Sequence, residues 1–107
     1  MFTENHTIAP TDLGGGVVRK VLSYSENLMC VELVFEEGAI GAIHSHPHEQ
    51  IGYIIEGSFL VQEEGKPDQL LHAGDTYYIE PNVKHGVIAQ EHSKLLDVFT
   101  PMREDFV

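Results

Sequence analysis

Cysteine is almost missing from this chain, with Cys30 the only one among 107 residues. A lone thiol cannot close an intramolecular bridge. Cys30 lies in the apolar run Leu28-Met29-Cys30-Val31, so it reads as a buried thiol in a reducing compartment rather than a nucleophile. Basic residues are scarce too. Six of them against 17 acids leave a net charge of -11, which speaks for no nucleic acid and no anionic membrane surface as partner. The same charge repels an anionic substrate at long range, so such a ligand must be captured by local cations or by a metal. No segment approaches the roughly 20 apolar residues of a membrane span. Met1-Phe2-Thr3-Glu4-Asn5-His6 has neither the basic start nor the apolar stretch of an export signal, and the expectation is a soluble cytoplasmic protein. Linkers, heptads, low-complexity tracts and internal repeats are missing as well. So is any helical stripe a dozen residues long, a short turn near the N-terminus excepted.

What is present is punctuation and branched residues. Residues 1–107 are expected to form one domain with an N-terminal arm over about 1–16, large enough to fold without disulfides. Gly14-Gly15-Gly16, Gly38, Gly41, Gly52, Gly57, Gly65-Lys66-Pro67, Gly74-Asp75 and Pro81-Asn82 interrupt the chain at short intervals. Between them, Val17 to Leu22, Met29 to Phe35, Ile51 to Ile55, Ser58 to Gln62, Thr76 to Ile79, His85 to Ala89 and Leu95 to Phe99 read as strands. Many short strands with frequent turns mean an all-β sandwich or barrel. Glu56-Gly57-Ser58 reads as a tight reversal and Glu63-Glu64-Gly65-Lys66-Pro67 as a solvated hairpin tip. Asn82 suits a left-handed conformation that would deliver His85 at the start of the next strand.

The chemistry concentrates in His44-Ser45-His46-Pro47-His48-Glu49-Gln50 and in His85. In an extended segment His44 and His46 project the same way, about 6 to 7 Å apart along the backbone, so two neutral imidazoles can converge on one ion. Gln50, Glu49 and His85 are the candidates for the remaining ligands, and zinc, nickel, manganese, iron and copper all accept such donors. Gln50 has a plainer reading, as a hydrogen-bonding residue of the barrel. Pro47 disturbs the alternation before His48, which reads equally as a ligand or as an exposed or supporting residue, while His6, His72 and His92 read as surface or hydrogen-bonded histidines. A glutamine ligand is neutral, so three histidines and one glutamine leave the ion's charge uncompensated, which favours Lewis-acid work on an anion.

At the other end of the chain, the period-two rule puts Asp97 and Phe99 on one face of a strand, and a turn at Pro101 could fold Arg103 toward the same cavity. An inward aspartate beside a bound substrate can move protons. The alternative is a solvent-facing Asp97 and an Arg103 paired with Glu104 or Asp105. Apolar positions on both faces of Met29–Phe35 and Ile51–Ile55 exceed what one barrel interior needs, so a homodimer is expected.

These residues resemble the cupins. Gly38, His44, His46, Gln50 and Gly57 match the first cupin motif, with glutamine where most members have glutamate. Gly74 and His85 align with the second motif, although Glu80 and Asn82 replace its proline and glycine. The resemblance implies a double-stranded β-helix, or jelly-roll barrel, holding one divalent transition metal ion. It also implies the outer-face pairing that small cupins use. The run His44 to Gly52, with Asp97-Val98-Phe99-Thr100-Pro101-Met102-Arg103, is similar to the KdgF-type cupins of pectin and alginate breakdown, which linearise unsaturated uronates. Carried over, that implies His44, His46, Gln50 and His85 as metal ligands and Asp97, Phe99 and Arg103 as the catalytic pocket. The expected reaction converts a 4,5-unsaturated monouronate, a small anionic sugar acid, into the linear 5-keto-4-deoxyuronate. Arg103 would fork the carboxylate and Asp97 would shuttle the proton. Two other classes share the same ligands: a non-catalytic sensor or carrier of a small acid or sugar, and a metal-dependent dioxygenase.

Overall fold

The computed structural model describes residues 1–107 and is built almost wholly of strands. In chain order these are β1 (Thr11–Gly14), β2 (Val17–Tyr24), β3 (Met29–Phe35), β4 (Ile40–His44), β5 (Glu49–Glu56), β6 (Ser58–Glu63), β7 (Gln69–His72), β8 (Thr76–Ile79), β9 (His85–Ala89) and β10 (Ser93–Thr100). Single 3₁₀ turns at Asn5–Thr7 and Glu104–Phe106 flank them. All pairings are antiparallel. They form a six-stranded sheet in the order β1-β2-β3-β10-β5-β8 and a four-stranded sheet in the order β4-β9-β6-β7. The two sheets enclose one interior, which is the jelly-roll architecture expected from the resemblance.

Alternation decides which residues reach that interior. In β10, Ser93, Leu95, Asp97 and Phe99 are buried while Lys94, Leu96 and Val98 are only partly so. Val17, Phe35, Ile54, Phe59 and Leu95 anchor the main core, where the Phe35 and Phe59 rings meet edge to face at 5.0 Å. Met29, Val31 and Phe99 form a second cluster, against which Val21, Met102 and Phe106 pack. That cluster ties the C-terminal segment to β2, β3 and β10.

Several expectations are corrected. Cys30 is half-buried, because it alternates with the buried Met29 and Val31 and so belongs to the outer face of β3. Gly41 does not interrupt the chain but lies inside β4, whereas Gly52 lies within the expected strand, which is β5; at both, opposing side chains press on the backbone. The Glu56-Gly57-Ser58 reversal carries the chain from β5 in one sheet to β6 in the other. Gly57 takes φ +79°, and a Cβ there would meet the Ser93 hydroxyl at 2.1 Å. The tip at residues 63–67 does join the paired strands β6 and β7, and Lys66 reaches back to Glu63 at 2.7 Å. Part of the expected N-terminal arm is itself sheet, since β1 pairs with β2.

Candidate metal centre and cavity

Three elements bring the imidazoles together. His44 ends β4 and is the cross-strand partner of His85, which opens β9. Asn82, at φ 66°, turns the chain just before that strand. His46 lies in the following loop, whose carbonyl accepts from the Asn82 N–H. The candidate donor atoms of His44, His46 and His85 all lie within 4.8 Å of one another.

The hydrogen bonds around these rings set their tautomers. Carbonyl oxygens only accept, so a ring nitrogen facing one must carry the proton. Nδ1 of His44 donates to the Ala42 carbonyl at 2.8 Å, and Nδ1 of His85 to the Val83 carbonyl at 2.9 Å. In both rings Nε2 is thereby left as a lone pair. Nε2 of His85 is buried with no hydrogen-bond partner. His46 is more telling. Its Nδ1 faces the His48 carbonyl at 3.1 Å and its Nε2 faces Oε1 of Gln50 at 2.9 Å, two acceptors for a neutral ring that carries one proton. Burial, with the charge of Arg103 adding to it, pushes His46 down to about 4, so a second proton is not held near neutrality. A cation between Nε2 and Oε1 resolves the conflict, and it also satisfies the orphaned Nε2 of His85. The donor set therefore fits a divalent ion held by His44, His46, His85 and Gln50.

Gln50 is oriented for that task by its other end. Its Nε2 donates to Oδ1 of Asp97 at 2.9 Å, and the Tyr77 hydroxyl donates to the same oxygen at 3.1 Å. Asp97, Gly52 and Tyr77 lie opposite one another across β10, β5 and β8. Only a glycine in the middle strand lets the tyrosine cross to the aspartate, since a Cβ at position 52 would sit 2.2 Å from the Tyr77 ring. Burial pushes Asp97 up to about 6, against the two hydrogen bonds and the charge of Arg103, which act to lower it. Burial likewise raises Tyr77 well above its ordinary value, and the neighbouring Asp97 adds to the rise.

His44, Gln50, His85, Asp97, Phe99 and Arg103 all line one cavity of about 360 Å³. Arg103 both faces the cavity and pairs outside it, so each of the two expected placements holds in part. Its Nε and Nη2 grip the Asp105 carboxylate at 3.0 and 2.8 Å, while its guanidinium lies 5.2 Å from the Phe99 ring centroid. His48 lies with its ring 5.4 Å from that of His46, its Nδ1 buried without a partner, and its Nε2 bonds the Met102 carbonyl at 3.1 Å, so it fastens the C-terminal segment. Glu49 points outward and accepts from the Tyr78 hydroxyl. Two residues of the cavity escaped sequence reasoning, Tyr77 and Arg19. An isolated glycine inside β5 was the available signal for the first, and the parity of Arg19 with Val17 and Val21 for the second.

Comparisons with known proteins agree with this geometry. The cupin domain family model matches residues 31–99. The pectin degradation protein KdgF of Dickeya dadantii (strain 3937) is 44% identical over 98 residues, covering 90% of this chain and 88% of that protein. The structure of KdgF from Halomonas sp. superposes with a TM-score of 0.94 at 36% identity, over 100% of this chain and 98% of that one. An RmlC-like cupin from Shewanella frigidimarina NCIMB 400 superposes with a TM-score of 0.95 at 39% identity, over 99% and 95% of the two chains.

Proposed function

This chain belongs to the cupin domain family, and from that premise we propose that it converts 4,5-unsaturated monouronates into linear 5-keto-4-deoxyuronate, a step of pectin breakdown. The observation that carries the reading is the junction of the imidazole and amide donors with a buried carboxylate, through Gln50, on one cavity wall. A bound divalent ion supplies Lewis-acid polarisation of the substrate's oxygen atoms. Its identity among zinc, nickel, manganese, iron and copper follows availability as much as affinity.

The reaction is an isomerisation, so every proton removed is returned. The Asp97 carboxylate takes the proton of the anomeric hydroxyl as the bond from C1 to the ring oxygen breaks. The C5 enolate then collapses to the ketone while Asp97 delivers the proton to C4. Burial raises the proton affinity of Asp97 above that of an ordinary aspartate, which is too weak a base for this exchange. Gln50 and Tyr77 both hold Oδ1, which leaves Oδ2 as the oxygen for this exchange. Phe99 walls the cavity, and Arg103 reaches a substrate carboxylate with its Nε and Nη2 edge only in place of Asp105.

The same reading has the enzyme working as a homodimer in the cytoplasm. Ile51, Tyr53, Ile55 and Tyr78 are exposed together on the outer face of β5 and β8, which supports pairing of two copies there. The test incubates metal-loaded protein with lyase-generated unsaturated monouronate and follows the conjugated enol absorbance and the NMR spectrum of the product, with His46→Ala as control. Accelerated, His46-dependent conversion to the open keto acid is expected. Decay at the spontaneous rate with metal bound would overturn the reaction assignment.

A further inference from the structure

The chain has only two arginines, Arg19 and Arg103, and both line the cavity that holds the histidine cluster, while its four lysines do not. Both guanidiniums pack on the Phe106 ring, at 4.0 and 4.3 Å from its centroid. They differ in what neutralises them. Arg103 has Asp105 in its fork, whereas Arg19 appears in none of the ion pairs or side-chain hydrogen bonds of the fold. Arg19 also lies on the inner face of β2, in step with Val17 and Val21, where an unpaired charge is costly unless a ligand uses it. Loss of hydration lowers its affinity for a proton, Asp105 raises it and Arg103 lowers it, so the guanidinium stays charged in a partly dry setting.

A chain carrying -11 must make a local positive site for an anionic substrate, and the cavity has one cation already paired and one unpaired. We propose that Arg19 is the anchor for the substrate carboxylate, and that it sets selectivity for uronic acids over neutral sugars. This rests on the uronate reading of the cavity. The Phe106 ring engages the guanidinium through its face, a contact that uses none of the N–H donors and leaves them available for a two-point contact with a carboxylate. Arg103, balanced by Asp105, then acts mainly on the wall formed with Phe99.

The experiment compares wild type, Arg19→Met, Arg19→Lys and Arg103→Met, each zinc-loaded and checked for folding by thermal melt. Binding of galacturonate and of galactose is measured by NMR titration, and turnover of unsaturated monouronate gives kcat and KM separately. Arg19→Met is expected to remove the preference for galacturonate by about tenfold and to raise KM by about the same factor, with kcat changed far less; Arg19→Lys recovers part of both. A merely structural Arg19 would move stability without changing the ratio of acid to neutral sugar. If Arg19→Met fails the melt, Arg19→Gln replaces it. An unchanged ratio in a folded Arg19 variant, or a ratio lost only in Arg103→Met, overturns the proposal. Absence of turnover in wild type would sink the uronate reaction alone, because the galacturonate ratio still reports on Arg19.

Discussion

Replacing Asp97 by asparagine separates what the carboxylate does for chemistry from what it does to stability, and the two effects have opposite signs. Asp97 is 7% exposed and titrates at about 6 in the fold, against 3.8 for the ordinary side chain. The folded state therefore holds a proton that the unfolded chain has released. Stability falls as pH rises from about 4 to about 6 and is flat above that, by at most about 3 kcal/mol at 1.36 kcal/mol per pH unit. Asparagine keeps an oxygen for Gln50 and Tyr77 and has no charge to bury. Metal-free Asp97→Asn should accordingly match wild type near pH 4 and exceed it by up to about 3 kcal/mol at pH 7.5, an increase in Tm on the order of 10 °C. His46 contributes in the reverse direction, since its folded value near 4 makes stability rise with pH between about 4 and 6.5. That contribution cancels when the variant is subtracted from wild type at each pH. The assay is urea unfolding followed by circular dichroism, because the chain has no tryptophan. In the metal-loaded form the same variant should lose about 10² to 10⁴ in kcat. A variant less stable than wild type at pH 7.5, or a difference that does not change between pH 4 and 7.5, would refute the burial argument; full activity would remove Asp97 from proton transfer.

Other outcomes follow from the same geometry. Tyr77→Phe removes a hydrogen bond that lowers Asp97, so the ascending limb of the pH–rate profile should move to higher pH; a fixed limb would contradict the role of Tyr77. Gly52→Ala puts a Cβ 2.2 Å from the Tyr77 ring and should cost about 1–3 kcal/mol in unfolding free energy while lowering turnover, as thermal melts and rates would show. Chelation should abolish turnover and a divalent transition metal restore it. His85→Ala should weaken zinc binding by at least about tenfold in calorimetry. Tyr53→Lys places a charge on the exposed face of β5 and should convert a dimer to a monomer in light scattering, with the fold unchanged.

What the sequence disclosed follows burial. β3, β8 and β9 have the expected limits because apolar and aromatic residues mark their interiors and glycine, proline or polar residues mark their ends. β1, β4 and β7 escaped, and they are three of the four edge strands. Their side chains are mostly exposed, so no alternation is written into them. The histidines and Gln50 were legible because most of the set is contiguous in sequence. Arg19 and Tyr77 reach the cavity through the pairing of β2 with β3 and of β8 with β5, and that pairing leaves only a parity or a misplaced glycine as its trace.

The residues of the site do not sit on equally firm ground. Asp97 rides on β10, which has β3 on one side and β5 on the other, and Gln50 rides on β5, itself paired to β10 and β8. His44 sits at the exposed end of β4, an edge strand held by β9 alone. Fraying of that end breaks few hydrogen bonds and frees one imidazole while the carboxylate and the amide stay in place. An ion held as proposed would therefore need only a local opening of β4, and no global unfolding, to lose its hold on His44.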